Sequence, residues 1–85
     1  MNNLEITRML TASTAHVTPM MMATNPDLVH TQFESGWILY VPEDIEEDRQ
    51  EPLRKLLSLA KEQGCQRILL DCDGPIIDGL ETFEW

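Results

Sequence analysis

The chain has 85 residues, 42% of them hydrophobic and 25% charged, the proportions of one small globular domain over residues 1–85. Its formal net charge of −9, from fifteen acidic and six basic residues, repels phosphate backbones and argues against direct nucleic-acid binding. No stretch approaches the roughly 20 apolar residues of a membrane span, and two cysteines make no disulfide framework, so a reduced, cytoplasmic protein is expected.

The elements follow in chain order. Leu4, Ile6, Arg8 and Leu10 alternate with Glu5, Thr7 and Met9, which predicts a first strand over about residues 4–10. Residues 11–17 are small and polar and read as a loop or strand extension. Thr18-Pro19 starts a short helix, Thr as cap and Pro at the first position. Asn25-Pro26 ends it. Met20, Met21 and Met22 cannot share one helix face, so at least one is expected to be partly exposed. Residues 27–35 fit either a strand, with a hairpin turn at Glu34-Ser35-Gly36, or a short helix capped by Asn25.

Trp37 to Val41 is almost wholly apolar and predicts a strand buried on both faces, ended by Pro42. An acidic run follows: Glu43, Asp44, Glu46, Glu47, Asp48 and Glu51, with Arg49 its one base. Pro52 opens the strongest helix, about residues 51–63, with Leu53, Leu56, Leu57 and Ala60 on one stripe. Acids precede it and bases follow, as the helix dipole favours. Gly64 is a natural stop, with Cys65 closing over Ala60. Gln66 to Cys72 reads as the last strand, and strand–helix–strand over 37–72 predicts a right-handed βαβ unit with parallel strands. The fold class is therefore α/β: a three- or four-stranded sheet, one main helix and one short helix.

Parallel strands would bring the acidic run and the carboxylates of Asp71 and Asp73 to one sheet edge, where α/β folds place their sites. Eleven of the fifteen acids lie in segments 43–51 and 71–84. This edge predicts a partner-binding surface made of Glu43, Asp44, Glu46, Glu47, Asp48, Asp71 and Asp73, with Trp85 as an aromatic anchor or a core residue. Ile76, Ile77 and Leu80 are expected to pack across the sheet, as is Phe83 unless it, like Trp85, centres the anchor. His16, His30, Cys65 and Cys72 show no metal-ligand spacing, so no structural metal and no cofactor are expected. A lone histidine in a polar loop reads as a hydrogen-bonding residue.

Two resemblances bear on function. L-L-D-C-D-G-P-I-I-D at residues 69–78 resembles the first motif of the haloacid dehalogenase superfamily. That resemblance implies Asp71 as a nucleophile toward phosphorus, Asp73 as acid/base, and magnesium between them. Pro75 stands where that family has Thr or Val, and the motif there sits on the first strand, not the last. S-T-A-H at 13–16, T-P at 18–19, G-W-I-L-Y-V-P at 36–42, D-C-D-G-P at 71–75 and the terminal L-E-T-F-E-W together resemble a small uncharacterised bacterial family found on mobile elements. This second resemblance spans nearly the whole chain and implies a small fold complete at Trp85.

The expected function is that of an acidic, non-enzymatic interaction protein from a mobile element. It would inhibit or modulate a basic, nucleic-acid-handling host complex in the manner of anti-CRISPR or antirestriction proteins. The alternatives are a magnesium-dependent phosphoryl-transfer site at Asp71 and Asp73, or an accessory or antitoxin subunit incomplete without its partner.

Overall fold

The computed structural model describes residues 4 and 6–84. It is a small α/β fold with a four-stranded mixed sheet, one longer helix and one short one. The strands are β1 (Met9–Ser13), β2 (Val29–Phe33), β3 (Gly36–Tyr40) and β4 (Arg67–Asp71); the α-helices are α1 (Pro19–Thr24) and α2 (Glu51–Glu62). The sheet order is β1-β4-β3-β2. β1 pairs with β4 in parallel, and β3 is antiparallel to both β4 and β2.

Local chemistry sets the helices. The Thr18 hydroxyl accepts a hydrogen bond from the Met21 amide at 3.2 Å, with Pro19 at the first helical position, leaving no proline N–H to satisfy. Met21 and Met22 are buried while Met20 is 69% exposed, as three successive helical positions require. Along α2, Leu53, Leu56, Leu57 and Ala60 are fully buried. The helix ends at Gly64, whose φ of +72° suits a residue without Cβ. The Cys65 amide donates to the Ala60 carbonyl at 2.9 Å and the Gly64 amide to that of Lys61 at 3.0 Å, closing the last turn.

The expected parallel βαβ unit over 37–72 is not formed. β3 and β4 are antiparallel, with Tyr40 opposite Arg67 and Gly36 opposite Asp71. The reason is the path between them. After Tyr40 the chain folds back beside α2: the Lys61 ammonium donates to the Glu43 carbonyl, and Asp44 and Ile45 border the same hollow as Ser58 and Glu62. α2 then runs back the other way. These two legs return the chain to where β3 ended, and the Val41 amide donates to the Gln66 carbonyl at 3.0 Å. A parallel crossover needs one return leg; the ten-residue segment 41–50 supplies the second.

The first strand also differs from the 4–10 expectation. Pairing begins at Met9 because β4 offers partners to Met9–Ser13 alone. The Arg8 carbonyl accepts from the amides of Gln66 and Arg67, and no described residue before Met9 belongs to a strand. Leu4 and Ile6 are 80% and 78% exposed. Residues 27–35 resolve into a 3-10 turn at Pro26–Leu28 and then strand β2, joined to β3 by a hairpin.

One face of the sheet carries the core: Ala12, Trp37, Leu39, Ile68 and Leu70 lie with α1, α2 and the tail. β3 is not buried on both faces, since Trp37 and Leu39 are buried while Ile38 is half-buried and Tyr40 exposed. The tail is pinned by a buried histidine. The Ile77 amide donates to His16 Nε2 at 2.9 Å, so Nδ1 must donate to the Glu81 carbonyl, also at 2.9 Å. The Phe83 amide donates to the Ala15 carbonyl at 2.7 Å. Ile77, Leu80 and Phe83 pack against the core, but Ile76 is 63% exposed and does not.

Candidate partner-binding site

The antiparallel strands separate the two acidic groups that a parallel unit would have joined. The acidic segment leaves the sheet at the Tyr40 end of β3, and Asp71 ends β4 beside Gly36. A five-residue strand puts about 13 Å between those ends. The single acidic edge expected from the sequence is therefore corrected to two separate acidic groups of different construction.

The segment 43–48 is built to face outward. Glu43, Asp44, Glu46, Glu47 and Asp48 are all exposed, while Ile45 packs against the core and Arg49 is buried. Arg49 is the anchor. Its Nη2 meets Asp27 Oδ2 at 2.7 Å, its Nη1 donates to Asn25 Oδ1 at 2.7 Å, and Glu46 lies 3.7 Å away. Asn25 in turn donates to the Met21 carbonyl at 2.7 Å and to Gln50 Oε1 at 2.9 Å. This network ties the acidic segment to the end of α1 and the start of α2. Hydrogen bonding from Arg49 holds the Asp27 carboxyl below its usual range, and Asp27 in turn raises the Arg49 guanidinium. A polar hollow of about 410 Å³ lies here, bordered by Asp27, Glu46, Asp48 and Arg49.

At the other end the Asp71 carboxylate shapes a turn. The Asp73 amide donates to Asp71 Oδ1 at 3.0 Å and the Gly74 amide to the Asp71 carbonyl at 2.9 Å, the local bonding that favours Asp in turns. The Cys72 amide donates to the Ser35 carbonyl and the Ser13 amide to the Pro75 carbonyl, at 2.9 and 2.8 Å. A Cβ at Gly74 would stand 2.4 Å from the Ala12 carbonyl oxygen, so glycine is needed for close backbone approach. Potential ligand atoms of Asp71, Cys72 and Asp73 lie within 4.8 Å of one another. Local desolvation, then the charges of Asp73 and Asp71, push the Cys72 thiol above its ordinary value.

Cys72 also borders an apolar hollow of about 690 Å³ with Phe33, Trp37 and Pro19. Trp85 lies outside the described residues. The residues that sequence reasoning missed are Asn25, Asp27 and Arg49; the signal was a lone base inside an acidic run. Among the described residues no helix is long and apolar enough to cross a membrane.

No curated protein and no solved structure matches the chain. A family model described as "Family of unknown function (DUF5983) C-terminal domain" matches residues 9–85, and the chain belongs to that family.

Proposed function

We propose that this domain is a non-enzymatic accessory subunit that receives a basic segment of a partner protein on its acidic segment. The observation that carries this reading is the outward set Glu43, Asp44, Glu46, Glu47 and Asp48, pinned from beneath by Ile45 and buried Arg49. A backbone held before binding loses little freedom when a partner docks. A nucleic-acid-handling protein with a basic groove is one such partner, and a mobile element one setting for it. The description of the family as a C-terminal domain also fits a module that works beside another. The test is capture of partners by wild type and by the Asp44→Lys, Glu47→Lys, Asp48→Lys variant, at about 0.05 and 0.5 M salt. A folded variant should lose the captured protein, with wild-type capture falling steeply as salt rises. Equal capture by the variant, flat in salt, excludes this segment.

A second reading, a magnesium-dependent phosphoryl-transfer site, is favoured by the convergence of Asp71, Cys72 and Asp73. Two carboxylates with water suit magnesium; the thiol between them does not. When bound, the ion would neutralise phosphate oxygens. Asp71 already accepts the Asp73 amide, so its carboxylate is oriented by the turn. Magnesium titration by calorimetry and hydrolysis of an aryl phosphate decide the matter. The accessory reading expects neither tight binding nor turnover; metal-dependent hydrolysis abolished by Asp71→Asn overturns it.

A further inference from the structure

The face of the sheet turned away from the helices is built from three cross-strand rows. Met9, Arg67 and Tyr40 form the first; Thr11, Leu69, Ile38 and Thr31 the second; Ser13, Asp71, Gly36 and Phe33 the third. Residues directly opposite in paired strands share a face. Ile38 and Leu69 therefore sit at the centre of this face, half-buried but outside the core cluster. Met9 and Tyr40 are 44% and 41% exposed. The first two rows are exposed or half-buried throughout; in the third, Ser13 and Gly36 are buried beside Pro75 and Thr14.

Charge marks the face as unusual for this chain. Of the described acids, Asp71 alone stands in its rows, though the molecule carries −9 overall. The charges on β4 are arranged as Arg67, Leu69, Asp71: positive at one end, apolar at the centre, negative at the other. Arg67 lies over the Tyr40 ring at 4.6 Å, and His30 meets that ring edge-on at 4.9 Å. Neither Arg67 nor Asp71 forms an ion pair among the described residues.

We infer that this face is where a second copy of the chain docks. A two-fold axis lying between the copies, parallel to the sheet and crossing β4 over Leu69, sets Arg67 of each copy against Asp71 of the other and Leu69 against Leu69. Such a surface is self-complementary, as a closed two-fold interface requires. Sheets packed face to face would lie about 10 Å apart, with strands nearly aligned. Four strands of five residues present a flat area of roughly 300 Å². A stable interface buries about 800 Å² per partner, so the dimer is weak and forms at high protein concentration. The acidic segment lies beyond the Tyr40 end of the face, and at about 0.15 M salt its repulsion is screened within about 8 Å. This inference does not depend on the function proposed for that segment.

Sedimentation equilibrium of the full chain at up to about 1 mM, in about 0.15 M salt, tests it. Wild type should show a monomer–dimer equilibrium. Arg67→Asp and Asp71→Arg should each weaken association at least about tenfold, because each places like charges together twice. An equimolar mixture of the two should recover a heterodimer, in which both pairs are complementary. Leu69→Lys should be monomeric and folded. A monomeric wild type at the highest concentration, or a mixture no more associated than its components, overturns the inference. Should Asp71→Arg fail to fold for loss of its turn bond, Arg67→Asp and Leu69→Lys decide, and wild-type association by either folded variant overturns it.

Discussion

The acidic segment at 43–48 and the D-C-D-G turn at 71–74 look alike as compositions, and they differ in what their carboxylates do. In the segment, the backbone is held by Ile45 and Arg49 and the five carboxylates are left to solvent. In the turn, the Asp71 side chain accepts the Asp73 amide and its backbone carbonyl the Gly74 amide, and the backbone of 72–75 is locked to Ser35 and Ser13. In the first arrangement the carboxylates take no part in holding the backbone; in the second, one oxygen of Asp71 is used to shape a bend. Acidic residues are thus informative about binding only once their anchors are known.

The sharpest way to break this comparison is Gly74→Ala. The new Cβ would meet the Ala12 carbonyl at 2.4 Å, and that atom is backbone, so strand or turn must shift. Overpacking of this kind costs about 1–3 kcal/mol. In a domain of this size that lowers Tm by roughly 5–20 °C. Glu47→Ala, in the exposed segment, should change stability by less than about 0.5 kcal/mol. Thermal melts of the two variants check the contrast. If Gly74→Ala melts with wild type, the turn is not the rigid element of the pair.

How much of this was readable in the sequence follows from the range of each interaction. α2, its apolar stripe and its Gly64 stop depend on neighbours within five residues, and all are where the periodicity predicts. The Thr18-Pro19 start is local in the same way. Strand direction is not local. Whether β3 and β4 run parallel depends on the route of residues 41–50, and no pattern in that acidic run announces that it doubles back along α2. Alternation at 4–10 describes a segment able to be a strand, but β4 ends its pairing at Met9. The run W-I-L-Y-V reads as doubly buried because Ile38 and Tyr40 are apolar, yet both stand outside the core on the other face of β3. Half of the proposed site was legible as charge; its anchor needed Asn25 and Asp27, over twenty residues away from Arg49.

The smaller test asks whether Arg49 is that anchor. Arg49→Met keeps the buried stem and deletes the hydrogen bonds to Asn25 and Asp27. Asn25 is 4% exposed, so its oxygen loses a partner it cannot replace from water, at about 1–2 kcal/mol. Asp27 is 62% exposed, so its ion pair is screened and adds little. The pH dependence separates the two contributions. Arg49 lowers the Asp27 carboxyl, so the unfolded chain takes up this proton first as pH falls. The stability from the pair is therefore complete above the ordinary carboxylate value of about 3.9 and is lost as pH drops through the depressed folded value. Arg49 stays charged throughout. The Glu51 carboxyl, lowered mainly by its hydrogen bond from Lys55, is present in both proteins and cancels. The stability gap between wild type and Arg49→Met in urea should thus stay constant from pH 7 to about 5 and narrow below about pH 4. What remains at low pH is the Asn25 contribution. A gap that does not change down to about pH 2.5 would show that Asp27 contributes nothing through Arg49, and that the acidic segment is anchored by Asn25 and Ile45 alone.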